Sequence, residues 1–245
     1  NTLSYNVNSG SGSAPPSVSP ISTSPVVKTS TAYTGTRTGY TFSGWNTAAN
    51  GTGTNYPVNT DISVTVATTL YAQWNSTITY DGNSNDGGTA PTATTALSSA
   101  AVTQLATNTG SLTRTGYTFA GWNTAANGTG TSYAAGLATY ASSGDITLYA
   151  QWNSTISYSG NGNTGGSAPA SQTAIGQSPL TLRTNTGALT KTSETFAGWN
   201  TTDSGSGTYY AVGATNYVSS GNATLYSMWN TTPSVPDLAT SSDTG

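Results

Sequence analysis

One block of sequence returns three times. Thr36 to Asn46 (TRTGYTFSGWN) recurs at Thr113 to Asn123 (TRTGYTFAGWN) and, altered, at Thr190 to Asn200 (TKTSETFAGWN), so Trp45, Trp122 and Trp199 follow at intervals of 77 residues. A second block, Leu70 to Asn75 (LYAQWN), Leu148 to Asn153 (LYAQWN) and Leu225 to Asn230 (LYSMWN), spaces Trp74, Trp152 and Trp229 by 78 and 77 residues. Tyr5, Tyr80 and Tyr158 open a third block, each followed by a Gly/Ser/Asn-rich stretch and an Ala-Pro pair at Pro15, Pro91 and Pro169. A period this long predicts an array of small domains rather than one large core. The repeats run 1–75, 76–153 and 154–230, and residues 231–245 form a C-terminal tail read as linker or docking strand.

Units of this size only just bury a core of their own. Their surface is hydroxyl and amide rather than ionic, because charged residues make up 5% of the chain where about 25% is ordinary. Such groups pack against a neighbour without the desolvation cost that ions incur. Net charge is −3 with five basic residues (Lys28, Arg37, Arg114, Arg183, Lys191), which leaves no footprint for nucleic acid or an anionic membrane. In-phase aromatics at 10% of the chain argue against disorder. No apolar run is long enough to cross a bilayer, and no membrane insertion is expected. The chain has no initiating Met and no signal peptide, and Asn1 aligns with Ser76; a processed mature protein and an excerpt of a longer array both fit.

Within each repeat apolar and polar residues alternate, the period of half-buried strands. Tyr40 and Phe42 share one face, and Gly44 marks a bulge or bend that re-aims Trp45. Asn50-Gly51, Asn127-Gly128 and Ser204-Gly205 then turn the chain back toward Tyr56, Tyr133 and Tyr210 as a hairpin. The one stretch with helical character, Ala96 to Leu105, faces Pro20 and Pro25 in the first repeat and Gly176 and Pro179 in the third, so little or no helix is expected.

The boundaries are equally patterned. Leu70, Ala72, Trp74, Ser76, Ile78 and Tyr80 keep one alternation from the end of repeat 1 into repeat 2, as Leu148, Ala150, Trp152, Ser154, Ile156 and Tyr158 do between repeats 2 and 3. This predicts strands that run through the joints, no flexible linker, and a stiff rod on the order of 100 Å long.

The motif GYTF(S/A)GWN followed by NGTGT, Tyr and LYAQWN resembles the Listeria-Bacteroides repeat, also called the internalin B-repeat family. The resemblance covers all three repeats; the third departs at Ser193-Glu194, where Gly-Tyr stands elsewhere, and at Ser227-Met228 in place of Ala-Gln. It implies small β-grasp-like domains in tandem, in secreted or cell-surface bacterial proteins, serving as stalk, spacer or adhesive region. It brings no catalytic residues.

Absence of His and Cys removes Ser-His-Asp and Cys-His machinery and the common zinc sites. None of the eight carboxylates recurs in phase in all three repeats, so no acid pair is selected, and the chain reads as a non-enzyme without cofactor or metal. Asp81, Asn83, Asn85 and Asp86 form an oxygen-rich cluster, but without EF-hand spacing or matching acids in the other repeats it reads as a polar turn. Lys28 and Lys191 are not equivalent, which argues against a repeated isopeptide crosslink. Of seven N-x-S/T sequons only Asn75, Asn153 and Asn230 fall in phase, and these three are the glycosylation candidates.

The leading expectation is a structural protein, extracellular or on the cell surface: a subunit of a bacterial fibre or surface stalk that joins copies of itself head to tail by β-strand pairing. Its assembly candidates are the first strand (Thr2, Leu3, Tyr5, Val7) and the tail (Val235, Leu238). The alternative is an adhesin or glycan-binding module that displays Tyr40, Trp45, Tyr117, Trp122 and Trp199 to host or cell-surface glycans. The residues favour a core role for the tryptophans, since large aromatics dominate the burial a small domain achieves, and exposure of Trp45 would reverse that.

Overall fold

The computed structural model describes residues 1–19, 26–31, 33–97, 104–176 and 178–231. These form two compact units, one of Asn1–Arg114 with Phe119–Gln151 and one of Thr115–Thr118 with the residues from Trp152 onward. As expected, the protein is mainly β, with no helix among the described residues.

The first unit contains β1 (Leu3–Asn6), β2 (Val26–Lys28), β3 (Thr41–Asn46), β4 (Asn55–Tyr56), β5 (Asp61–Ser63), β6 (Thr68–Asp81), β7 (Thr94–Leu97), most of β8 (Thr118–Asn123), β9 (Ser132–Tyr133) and the start of β10 (Ile146–Ser159). β6 organises them. Its first residues lie parallel to β1 (Leu3↔Thr68 to Asn6↔Tyr71) and antiparallel to β3, closing repeat 1. Its last residues pair antiparallel with β7 (Asn75↔Leu97 to Ile78↔Thr94) and parallel with β10 (Ile78↔Ile146 to Asp81↔Tyr149), opening repeat 2. One 14-residue strand therefore belongs to two repeats, and Leu70, Ala72, Trp74, Ser76, Ile78 and Tyr80 are all buried along it. The unbroken alternation forces this result, since a shift of one residue would turn every apolar side chain outward. β2 and β5 form a separate antiparallel pair.

The second unit repeats the scheme. The later part of β10 pairs with β11 (Gln172–Ile175), β12 (Glu194–Asn200) and β13 (Tyr209–Ala211) form a hairpin, and β14 (Ala223–Thr231) lies antiparallel to β12 and parallel to the end of β10. The turn signals at residues 50–51, 127–128 and 204–205 sit in the hairpins β3–β4, β8–β9 and β12–β13. The glycine bend is a true bulge: the register slips between Phe42 and Gly44 and again between Phe196 and Gly198. Gly44 has φ +131°, and a Cβ there would lie 3.0 Å from the Tyr56 carbonyl oxygen, so only glycine fits without strain. The slip aims Trp45 into the core, where it is 1% exposed.

Each core closes on one backbone residue gripped from both sides. The Trp45 indole N–H donates to the Ser30 carbonyl (3.1 Å) while the Ser30 N–H donates to the Tyr5 hydroxyl oxygen (2.9 Å). Trp122 and Tyr80 hold Ala106 in the same way, at 2.8 and 2.9 Å, and Trp199 and Tyr158 hold Arg183, at 2.7 and 3.0 Å. The paired rings lie 4.7, 4.8 and 4.6 Å apart, within the range of favourable tilted contacts. Two large side chains are thus buried with their polar atoms satisfied, and each contributes roughly 1.5–3 kcal/mol of burial. A segment with little regular structure is pinned to the sheet as a consequence.

The asparagine after each of these tryptophans shapes the hairpin. Asn46, Asn123 and Asn200 are almost fully buried. The Asn123 amide donates to the carbonyls of Gly128 (3.3 Å) and Gly130 (3.3 Å) and to Ser132 Oγ (2.9 Å), while its oxygen accepts the Ala125 N–H at 2.8 Å. Asn46 and Asn200 make the corresponding bonds to Gly51, Gly53 and Ala48 and to Gly205, Gly207 and Thr202. Asn123→Ala orphans these buried groups and is expected to cost about 2–4 kcal/mol in denaturant unfolding. Asn123→Asp, which turns an acceptor toward the Gly128 and Gly130 carbonyls, is expected to cost at least as much; a loss below about 0.5 kcal/mol in both variants contradicts this role.

Candidate functional site

The assembly candidates at the N-terminus are already in use. Leu3 and Tyr5 are buried in the first core, Thr2 and Val7 are half-buried, and Leu3 is bonded to β6 on one edge and to Val18 on the other. If β1 serves a neighbour, it does so by exchange and not by adding a free strand. Val235 and Leu238 lie outside the described residues. β14 pairs with β12 over Tyr226–Thr231 and with β10 over Ala223–Tyr226. Among the described residues, its outer half carries no counterpart of β7 or β11. Trp229 is only half-buried there, whereas Trp74 and Trp152 are 1% and 2% exposed.

The aromatic glycan candidates lie mostly within the cores. Trp45, Trp122 and Trp199 are 1%, 1% and 0% exposed, with their faces packed on Tyr and Phe rings. None of these three indoles opens a face for a sugar to stack on. Tyr40 and Tyr117 are half-buried, and their hydroxyls are engaged at the joints between repeats.

Those joints are well-developed polar sites, and they occur twice with the same geometry. Where repeat 2 meets repeat 1, the turn Ser142–Asp145 is held by its own repeat. The Ser142 and Ser76 hydroxyls hydrogen-bond each other, and the Asp145 Oδ1 accepts the Thr77 N–H at 2.7 Å. So shaped, the turn reaches back to repeat 1, where the Asp145 N–H donates to the Gly39 carbonyl (2.7 Å) and the Tyr40 hydroxyl donates to the Ser142 carbonyl (3.4 Å). In the second unit the turn Ser219–Asn222 does the same: Ser154 and Ser219 hydroxyls at 2.6 Å, Thr155 N–H to Asn222 Oδ1 at 2.7 Å, Asn222 N–H to the Gly116 carbonyl at 2.7 Å, and Tyr117 hydroxyl to the Ser219 carbonyl at 3.5 Å. Glycine stands on both sides of the contact, and on the turn side the backbone conformation calls for it. Gly39 and Gly144 have φ of +73° and +134° and approach each other so closely that a Cβ on Gly144 would lie 3.3 Å from the Gly39 oxygen. Reading the sequence missed these turns, although Ser-Ser-Gly-Asp and Ser-Ser-Gly-Asn stand at the same distance before Leu148 and Leu225.

The remaining polar candidates are structural. Asn83 donates to the carbonyls of Ala126 (2.8 Å) and Ala150 (2.7 Å), Asn85 donates to that of Gly87, and the Asp81 carboxylate accepts the Asn83 N–H. That places the oxygen-rich cluster in a polar turn whose side-chain amides point nitrogen, not oxygen, at the backbone. Asn75 and Asn153 are half-buried inside long strands, while Asn230 is exposed. An open groove of about 260 Å³ runs beside Ser43, Tyr56, Pro57, Asn75 and Leu97 in the first unit, with no charged side chain along it.

Comparison with known proteins places the chain. The model of the Listeria-Bacteroides repeat domain matches residues 2–73, 77–151 and 155–228. The chain belongs to this family. Two proteins of Evansella cellulosilytica are similar to it. One, provisionally named a Gly-rich membrane protein, is 41% identical over 137 residues, covering 51% of this chain and 16% of its own. The other, provisionally named a membrane protein, is 44% identical over 89 residues, covering 35% of this chain and 13% of its own. The chain thus spans less than a fifth of the length of either relative.

Titration bears on the cores. Burial pushes the phenols of Tyr5, Tyr33, Tyr140, Tyr158 and Tyr217 up from their ordinary value, outweighing the backbone N–H bonds that Tyr5 and Tyr158 accept from Ser30 and Arg183. The folded values lie above the unfolded one, so this contribution is complete below about pH 10 and is lost as pH rises through the folded values. Melting temperature is expected to fall steeply above about pH 10, as tyrosinate absorbance rises. Melting unchanged up to full tyrosine ionisation contradicts the burial of these hydroxyls.

Proposed function

We propose that this Listeria-Bacteroides repeat protein is a non-enzymatic structural element of the bacterial cell surface, building a stalk or extracellular fibre in which copies join end to end through β-strand pairing. The observation that carries this reading is β6, a strand shared by two repeats, which leaves no free linker at the joint. A chain built this way transmits position from one repeat to the next. The family membership and the membrane-protein names of its Evansella cellulosilytica relatives support a surface location. Among the described residues no cluster of three or more His, Cys, Asp or Glu side chains gathers to hold a metal.

Strand pairing supplies the end-to-end contact. The outer half of β14, with the half-buried Trp229 beside it, is the edge onto which a strand of a second copy pairs, and β1 or the tail around Val235 and Leu238 is the strand that supplies it. Electron microscopy of the native material beside light scattering of the purified chain tests this, with uniform filaments as the expected result. Deletion of residues 231–245 or of residues 1–7 is expected to abolish them. Because removal of residues 1–7 also strips Leu3 and Tyr5 from the first core, circular dichroism must show that the shortened chain still folds. Filaments that persist in both deletions, or a monodisperse monomer in native material, contradict end-to-end strand pairing.

A further inference from the structure

The two internal joints use the same four-part clasp, while the outward-facing positions of repeats 1 and 3 do not carry it. In repeat 3, Ser193-Glu194 replaces Gly39-Tyr40 and Gly116-Tyr117. The backbone turn is unchanged: the Glu194 N–H donates to the Lys191 carbonyl at 3.1 Å as the Tyr40 N–H donates to that of Arg37 at 2.9 Å, and Ser193 keeps φ at +61°. Only the side chains differ. A Cβ at Gly39 would lie in van der Waals contact, 3.4 Å, with both the Asp145 nitrogen and the Gly144 Cα, so a serine hydroxyl there adds an atom at a surface that is already closed. Glu194 carries no hydroxyl to donate to a serine carbonyl, and its carboxylate is paired with Lys191 at 3.0 Å. In repeat 1 the counterpart of Ser142–Asp145 and Ser219–Asn222 is Val64-Thr65-Val66-Ala67. Val66 stands where Gly144 and Gly221 have φ of +134° and +131°, a region closed to a β-branched residue. Ala67 has no oxygen with which to hold the strand as Asp145 and Asn222 do, and Val64 is fully buried in the first core.

We infer that the Gly-Tyr pair and the Ser-x-Gly-Asp/Asn turn are matched halves of a clasp that decides which repeat can follow which. Repeats 1 and 2 accept a repeat bearing the turn; repeat 3 does not, and repeat 1 cannot itself be accepted. The clasp is an ordering device carried by hydrogen bonds and glycine backbone, with Asp and Asn interchangeable because only an Oδ1 acceptor is used.

The test appends a copy of residues 76–153 after Asn230 in the full chain, once with the native Ser193-Glu194 and once with Ser193→Gly and Glu194→Tyr. Hydrogen exchange is read at the amide of the appended residue that corresponds to Asp145, with the amide corresponding to Ala106, held by a core tyrosine, reporting whether the added repeat folds. The grafted chain is expected to protect the clasp amide about tenfold better than the native one. Equal protection in the two chains, high or low, overturns the inference. Should the added repeat not fold, the reverse graft in the three-repeat chain decides. Gly39→Ser with Tyr40→Glu is expected to speed exchange at the Asp145 amide about tenfold, and unchanged exchange overturns the proposal. Both readouts come from single chains, so their failure leaves the filament reading untouched, and loss of filaments leaves the clasp untouched.

Discussion

The buried face of β6 belongs to two cores at once. Leu70, Ala72 and Trp74 fill repeat 1, Ile78 and Tyr80 fill repeat 2, and Ser76 at the crossing is fully covered although it is polar. A serine is tolerated there because its hydroxyl has a partner in Ser142 of the same repeat. Every other feature follows from keeping this strand in register. The β3 bulge at Gly44 is needed so that Phe42 and Trp45 both reach the strand, and β1, β3, β7 and β10 all take their register from it. Stability in such an array is a sum over repeats and their interfaces, and a shared strand makes the interface part of both cores.

A chain with five basic and eight acidic residues cannot rely on ion pairs to hold its loops. Amides and tryptophan indoles do that task here. Asn46, Asn123 and Asn200 organise hairpins from within, Asn8, Asn83 and Asn161 bridge two carbonyls each, and the Tyr–Trp grip pins one peptide per repeat. Neutral groups lose little on desolvation once paired, so small cores can enclose them where a lysine or glutamate would have to reach water.

Much of the fold was legible because it is written in side-chain period. The through-strand, the hairpin turns and the bulge at Gly44 all follow from alternation and from glycine placement. The grip on Ser30, Ala106 and Arg183 was not legible, since those positions contribute only backbone atoms and three unrelated side chains serve equally well. The size of the tryptophans favours the cores, and Trp45, Trp122 and Trp199 are indeed buried there. Tyr40 and Tyr117 were singled out as aromatic surfaces, yet what matters is the hydroxyl each aims at a neighbouring repeat. Their partner turn was overlooked because Ser-Ser-Gly-Asp reads as an ordinary loop until its place beside Gly39 is known.

Strand alternation and the clasp answer different needs. Alternation is generic: any strand with the same period presents the same apolar face, so it supplies burial and register but cannot tell one repeat from another. Selection has to come from interactions that fail when one partner is wrong. Charge complementarity is closed to a surface with so few ions, which leaves hydrogen-bond direction and backbone shape. Both are found where Gly39 meets Gly144 and Gly116 meets Gly221, close backbone contacts made at positive φ and flanked by donors aimed at single carbonyls. A polar protein built from near-identical repeats needs such a device more than most, because without it every joint would fit every other and the order of the array would carry no information.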